Sequence, residues 1–308
     1  MKTEGNAGLE VEAEAGELGE EMDDFEGAES TEATESTETT EKKVFKLPDW
    51  LENLSSDRRQ TILNLRILVS REYFFKRNRQ AAKNFLASLK NHLKDKGWEY
   101  TKIHKIEDQI KVIDKIIVEI EKDISIELAT LPIYTRFLKN VKGVGPWIAG
   151  AVIAQVGFIE RFHSISALRK YSGWYPVDGK AFRRAKGQQA GISTKMHQVL
   201  YHFVEGITKA KDEVYYNDLL RYRKAIYDKH PEYADRKATK KQKIDGIPSH
   251  TLKMARRKTI QKFIADLFCV WRDLEGLPQT VPYAIGILGH EGFINPLTEN
   301  KHYEKEVR

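Results

Sequence analysis

The chain has 308 residues and a formal net charge of +6, with 41% hydrophobic and 31% charged residues and a mean hydropathy of −0.55. No run approaches the roughly 18 consecutive apolar residues of a membrane-spanning helix, and a lone cysteine, Cys269, excludes an intrachain disulfide. The net charge hides an asymmetry: residues 1–41 carry 15 acidic and 1 basic residue (−14), which leaves +20 on residues 42–308. A body of that charge favours a polyanionic partner, either nucleic acid or an acidic membrane surface.

Residues 1–43 are Glu, Ser, Thr, Ala and Gly with almost no aliphatic side chains. They cannot repay the entropy of ordering and are expected to form a disordered acidic tail, either a solubilising one or one that folds back over the basic face. Residues 44–131 predict two long helices. The first runs from about Arg58 to Lys96, behind the capping cluster Ser55-Ser56-Asp57, and stops at Gly97. The second, about Lys102 to Ala129, carries Ile103, Ile106, Ile110, Ile113, Ile117, Ile120 and Ile124 in steps of three and four. A long antiparallel coiled-coil hairpin that dimerises is the expectation. Packing of the same seam against the rest of the chain is the alternative.

Residues 132–276 predict a helical domain. In Leu138–Ile153 (LKNVKGVGPWIAGAVI), apolar Leu138 and Val141 share one helix face, Gly143-Val144-Gly145 breaks the helix, and Pro146 opens a second one. Small Ala149 and Gly150 would let that helix lie close to the first. This is the pattern of a helix-hairpin-helix, whose turn amides at a helix N-terminus suit a phosphate. A glycine-capped connection without a ligand is the plainer reading. A short helix capped at Ser164 or Ser166 follows, then a loop or small hairpin over Trp174–Gly191 with Lys180, Arg183, Arg184 and Lys186, then a helix capped by Ser193. After a Tyr- and Arg-rich helical stretch and a basic loop over 229–250, a last helix runs from about Ser249 to Glu275 and opens with Lys253, Arg256, Arg257 and Lys258. Residues 277–308, rich in Pro and Gly, are expected to wrap the domain irregularly. The fold class is mainly α.

The order GVGPWIAGAVIAQVG, RFHSISALRKYSGWYP, GQQAGISTKMHQVLYH, TLKMARRKTIQKF resembles the C-terminal transposase domain of insertion-sequence transposases that carry an N-terminal RuvC-like DEDD domain. That family is directed by a bridge RNA and is related to Piv-type DNA invertases. The matching positions are Gly143, Gly145 and Ala149; Phe162, Ser164 and Leu168; Tyr171, Gly173 and Pro176; Ile192 and Ser193; and Ala255 with Arg256. The resemblance spans about residues 55–275 and implies DNA binding in transposition or site-specific recombination. It also places the long helices where that family has its dimerising coiled coil.

Three departures bear on catalysis. The RuvC-like domain and its carboxylates would precede the long helices, where this sequence has the acidic low-complexity stretch. The family's nucleophilic serine would fall within Pro176–Lys180, which has none. The Gly-Asn/Asp-Arg that follows the family's I-S-K segment is Met196-His197-Gln198 here. No aligned catalytic residue is therefore expected. Ser172 is the nearest candidate hydroxyl, since Ser193 is explained as an N-cap. His197 and His202 are five apart, which does not place them on one helix face, so neither a metal nor a cofactor is expected.

The nucleic-acid contacts expected are Lys142, Gly143, Val144 and Gly145 in the hairpin, with Arg183, Arg184, Lys186, Lys253, Arg256, Arg257 and Lys258 as electrostatic footing. The partners implied are DNA or structured RNA, a second copy through the long helices, and a separate DEDD nuclease subunit, with no membrane and a cytoplasmic setting. Two other readings stay open: an active recombinase using an unaligned serine or Asp178, and a protein-binding scaffold.

Overall fold

The computed structural model describes residues 48–177, 180–182, 191–231, 243–244, 247–278 and 295–304; of residues 53, 177, 180–181, 243–244 and 247–250 it describes the backbone alone. The acidic stretch 1–43, Asp178, the cluster Arg183, Arg184 and Lys186, and most of the loop 229–250 lie outside the described residues. The fold is mainly helical, and the described residues fall into two units, one drawn from 49–222 and 255–304, the other from 223–254 with Pro48. The described part of the second unit holds the end of one helix, the start of another, and the short antiparallel pairing of Lys243–Ile244 with Ile247–Pro248.

In the larger unit a 3-10 turn at Asp49–Asn53 leads into α1 (Ser56–Lys96), 41 residues and so about 60 Å long. It ends where expected: Gly97 takes a left-handed φ of 66°, and the amides of Gly97 and Trp98 close on the carbonyls of Lys94 and Leu93. After a short turn, α2 (Ile103–Ala129) runs back along α1. The antiparallel register is read from Asn64–Glu127, Lys76–Glu121, Arg79–Asp114 and Lys90–Glu107, whose numbers rise on one helix as they fall on the other.

Four of the seam isoleucines, Ile110, Ile117, Ile120 and Ile124, are buried together with Leu128. Ile120, Ile124 and Leu128 join Leu65 in a core that also takes in buried residues of the larger unit between Ile133 and Trp271. Residues on both sides of the 131/132 division thus share one core. The wedge against the pair of long helices is α4 (Pro146–Val156), which follows the one-turn α3 (Pro132–Thr135) and a 3-10 turn at Leu138–Asn140. Gly150 is what lets it in: a Cβ there would stand 3.0 Å from Ile124 and 3.3 Å from Val69. The small residue therefore serves contact with α1 and α2, not with the segment before the turn. That segment also differs from expectation, because Leu138–Asn140 is a tight 3-10 turn rather than a full helix.

Ile165–Ser172 forms α5, capped by the Ser164 side chain, which accepts from the Ala167 amide. Pro176–Val177 pairs with Lys180–Ala181 as β1 and β2, within the stretch expected to be a loop or a small hairpin. Thr194–Ala210 forms α6, with Ser193 accepting from the Met196 amide. Then come α7 (Tyr215–Lys229) and α8 (Ser249–Leu274). Phe203 of α6 stacks on Phe263 of α8 at 3.9 Å, and Tyr215 meets Phe263 edge-on. Of the C-terminal stretch expected to wrap irregularly, residues 295–304 do more than cover the surface. A last turn, α9 (Pro296–Glu299), delivers Asn300 and His302 into the interior. There Asn300 donates to Tyr215 and Asp266, and His302 bonds Asp212. Among the described residues no helix is long and apolar enough to cross a membrane.

Candidate nucleic-acid interface

The glycine turn at the start of α4 is built mainly for packing. Gly143 has φ +93°, a conformation side chains rarely adopt, and an added Cβ would lie 2.3 Å from the carbonyl oxygen of Gly206 on α6. The approach is mutual, since a Cβ on Gly206 would lie 2.3 Å from the Gly143 oxygen. Two backbones meet here with no room for a side chain between them.

The turn amides are only partly open. The Lys142 amide donates to Asp212 Oδ2 at 2.9 Å, and the Val144 amide closes on the Val141 carbonyl. Ala149 is the first α4 residue whose amide bonds back along the chain, to Gly145. The amides of Gly145, Trp147 and Ile148 are thus left outside turn and helix hydrogen bonding. Gly145 is exposed, with nothing within 4 Å of where its Cβ would be, while Val144 is buried. Lys142 reaches out to Glu213, both more than half exposed, and that contact raises the lysine's pKa and lowers the glutamate's.

Carboxylates gather around this end of α4. Asp212 is fully buried and accepts from the amides of Lys142, Val214 and Tyr215 and from His302. Burial alone would raise its pKa, but the bonds from His302 and the two following amides hold it below the ordinary carboxylate range. Trp147, in the first turn of α4, is half-buried against His202, with the Lys76 ammonium 5.2 Å from its ring. Lys76 in turn bridges Glu121 and the wholly buried Glu72. Burial pushes Glu72 up to about 7, with Lys76 opposing.

The other end of α4 has the opposite character. Arg66 of α1 donates to the Ala154 carbonyl at 2.8 Å, and Arg161 donates to those of Gln155 and Val156. Trp50 lies beside both guanidiniums, and Arg161 also faces Phe162 and Tyr171 at 4.7 and 4.8 Å. The start of α6 is pinned to the same place: the Ser193 hydroxyl donates to Gln155 Oε1 and its amide to the Tyr171 carbonyl. That sets Lys195, two residues on, close enough to Arg66 for the charges to repel. The side chain is exposed overall, yet partial desolvation against its neighbours and then Arg66 push its pKa down. Among the described residues no carboxylate lies within ion-pair distance of Arg66, Arg161 or Lys195. None of the three stands out in the sequence, because they lie on separate elements and belong to no local basic run.

The basic face expected on α8 is divided. Lys253 and Lys258 are exposed, whereas Arg256 and Arg257 are half-buried. Arg256 Nε is buried without a partner, and the Arg257 guanidinium sits 5.9 Å from the Trp174 ring. Trp174 also stacks on His197 at 4.2 Å, and burial lowers the pKa of that histidine. His202 pairs with Glu205, and among the described residues no group of three or more metal-ligating side chains occurs. Ser172 is wholly buried at the end of α5. Its hydroxyl donates to the Arg169 carbonyl, and its own carbonyl bonds His197. A nucleophile must reach its substrate, and this side chain is wholly buried. Cys269 is buried too, its thiol pushed up to about 12, so it is no reactive thiolate. No protein-family model matches the chain, and no curated protein matches it in sequence.

Proposed function

We propose that this chain binds the phosphate backbone of DNA in the manner of the C-terminal domain of DEDD insertion-sequence transposases, and that it grips rather than cuts during transposition or site-specific recombination. The observation that carries the reading is the +20 charge of residues 42–308, set beside a glycine turn whose following amides have no internal acceptor. In this reading the Leu138–Ile153 stretch grips phosphate through the amides of Gly145, Trp147 and Ile148 at the start of α4, with a 3-10 turn standing where a helix-hairpin-helix has its first helix. The burial of Ser172 argues against cleavage through that residue. The cutting carboxylates belong to a RuvC-like DEDD domain, supplied on a separate subunit.

The long helices pair two copies as a coiled coil. Their isoleucine seam is turned inward, so the pairing uses what remains outside: Ile67, Phe74 and Phe85 on α1, and Val112 and Ile126 on α2, all more than two-fifths exposed. Ile67, Phe74 and Phe85 are seven and eleven residues apart, close to whole turns, and therefore form one stripe.

Binding of a short labelled duplex, followed by fluorescence anisotropy over a salt series, tests the reading. A steep fall in affinity with salt is expected, made shallower by Lys142→Ala combined with Arg183→Ala and Arg184→Ala. Absence of binding at low salt to both duplex DNA and structured RNA would sink it.

A further inference from the structure

We propose that Arg66, Arg161 and Lys195, gathered at the C-terminal end of α4, form a phosphate-binding site. This deepens the nucleic-acid reading by naming a second backbone anchor, one helix length (about 15 Å) from the glycine turn.

Three elements bring the cations together. Arg66 comes from α1 and Arg161 from the turn after α4, while Lys195 is held by the docking of Ser193 on Gln155 and Tyr171. Part of this charge answers α4 itself, whose last carbonyls take three of the guanidinium hydrogen bonds. A helix C-terminus carries the equivalent of about half a negative charge, so three cations leave a surplus of roughly +2.5. Nothing among the described residues cancels it. The nearest acidic neighbour in sequence, Glu160, is engaged by Arg58.

The donors are also underused. Arg66 Nε is buried without a partner, and Lys195 is exposed with no hydrogen bond among the described residues. Trp50 and Tyr171 form walls beside the guanidiniums, so the charged edges have little freedom. Two planar guanidiniums with a flexible ammonium nearby suit the several oxygens of a tetrahedral phosphate better than a single carboxylate. The group recognised is a phosphate. Its source is the backbone of DNA or a free phosphate-bearing molecule, and the two arms of the test separate these.

The experiment uses the full chain, Lys195→Gln and Arg161→Gln, with Lys111→Gln as a remote control already paired to Asp108. Arg161 caps α4, so thermal unfolding is recorded for each variant; exposed Lys195 can be changed without touching that cap. Calorimetric titration with inorganic pyrophosphate should show saturable binding that weakens about tenfold in Lys195→Gln, the loss of one charge-assisted contact. Duplex binding should show a salt slope reduced by about one in the same variant. Lys111→Gln should change neither. Pyrophosphate binding that is absent in the parent chain, or unchanged in a folded Lys195→Gln, overturns the site. Site-dependent pyrophosphate binding with no duplex binding by the parent upholds the site and refutes the nucleic-acid reading. Site-dependent pyrophosphate binding with duplex binding at an unchanged slope assigns the site to a free phosphate compound.

Discussion

The two ends of α4 make opposite use of charge. At its N-terminal end, where the helix presents amides and positive potential, the chain has set Asp212 on the Lys142 amide, Glu213 on the Lys142 ammonium, and Glu72 and Glu121 around Lys76 beneath Trp147. At its C-terminal end it has set Arg66, Arg161 and Lys195. Both arrangements complement the helix dipole. They differ in surplus: at the first end the cations Lys142 and Lys76 are paired with carboxylates and only amides stay open, whereas the second end carries more cation than the helix requires. A glycine-rich turn is thus a weaker guide to where an anion binds than the balance of charge around it.

The sharpest way to break this comparison is Gly143→Ala. It adds a Cβ 2.3 Å from the Gly206 carbonyl at a φ of +93°, so strain and overpacking together should cost about 3–5 kcal/mol in denaturant unfolding. A loss below about 1 kcal/mol would mean that the turn is not held by contact with α6. Next is Glu72→Gln. The acid's folded pKa of about 7 lies above its unfolded value, so stability falls as pH rises from the unfolded value to about 7 and is flat above. The amide should therefore stabilise by up to about 3 kcal/mol at pH 8 and change little at pH 4. Equal effects at both pH values would refute the burial argument.

Asp212→Asn should act in the opposite sense. A pKa held down in the folded state contributes stability above the unfolded value of about 3.9, and that contribution is lost as pH falls through the folded pKa. The substitution should cost about 2 kcal/mol at neutral pH, with the gap from the parent closing in acid. A gap of constant size from neutral to strongly acid pH would show that the charge does not matter.

The smallest effects on stability are expected at the exposed part of the turn. Gly145→Ala enters open space at an ordinary φ of −76° and should cost under about 1 kcal/mol, the difference between two N-cap residues. Lys142→Ala should leave the melting temperature unchanged, because its partner Glu213 is equally exposed. A fall comparable to that of Gly143→Ala in either variant would erase the distinction between the packed and the open halves of the turn.

Much of the fold is legible in the amino-acid sequence. The stop at Gly97, the caps at Ser164 and Ser193, the long α1 and α2, and the span of α8 all follow from side chains acting on backbone within a few residues. The candidate interface is legible only in outline. The turn at Gly143–Gly145 stands out in sequence, but its partner Gly206 does not, nor does Asp212, which accepts the Lys142 amide from 70 residues away. The isoleucine seam of α2 is plain, yet periodicity says that a face is apolar and not what covers it; α1 and α4 cover it here.

The sequence by itself determined a helical chain with an acidic stretch ahead of a strongly basic body, because composition, periodicity and capping are local or additive. Tertiary structure alone decided which charges neutralise one another. Residues 66, 161 and 195 become a cluster only when three elements converge on the end of α4, and Ser172 is buried only when packing closes over it. Electrostatic interaction depends on distance in space, to which spacing along the chain is nearly blind.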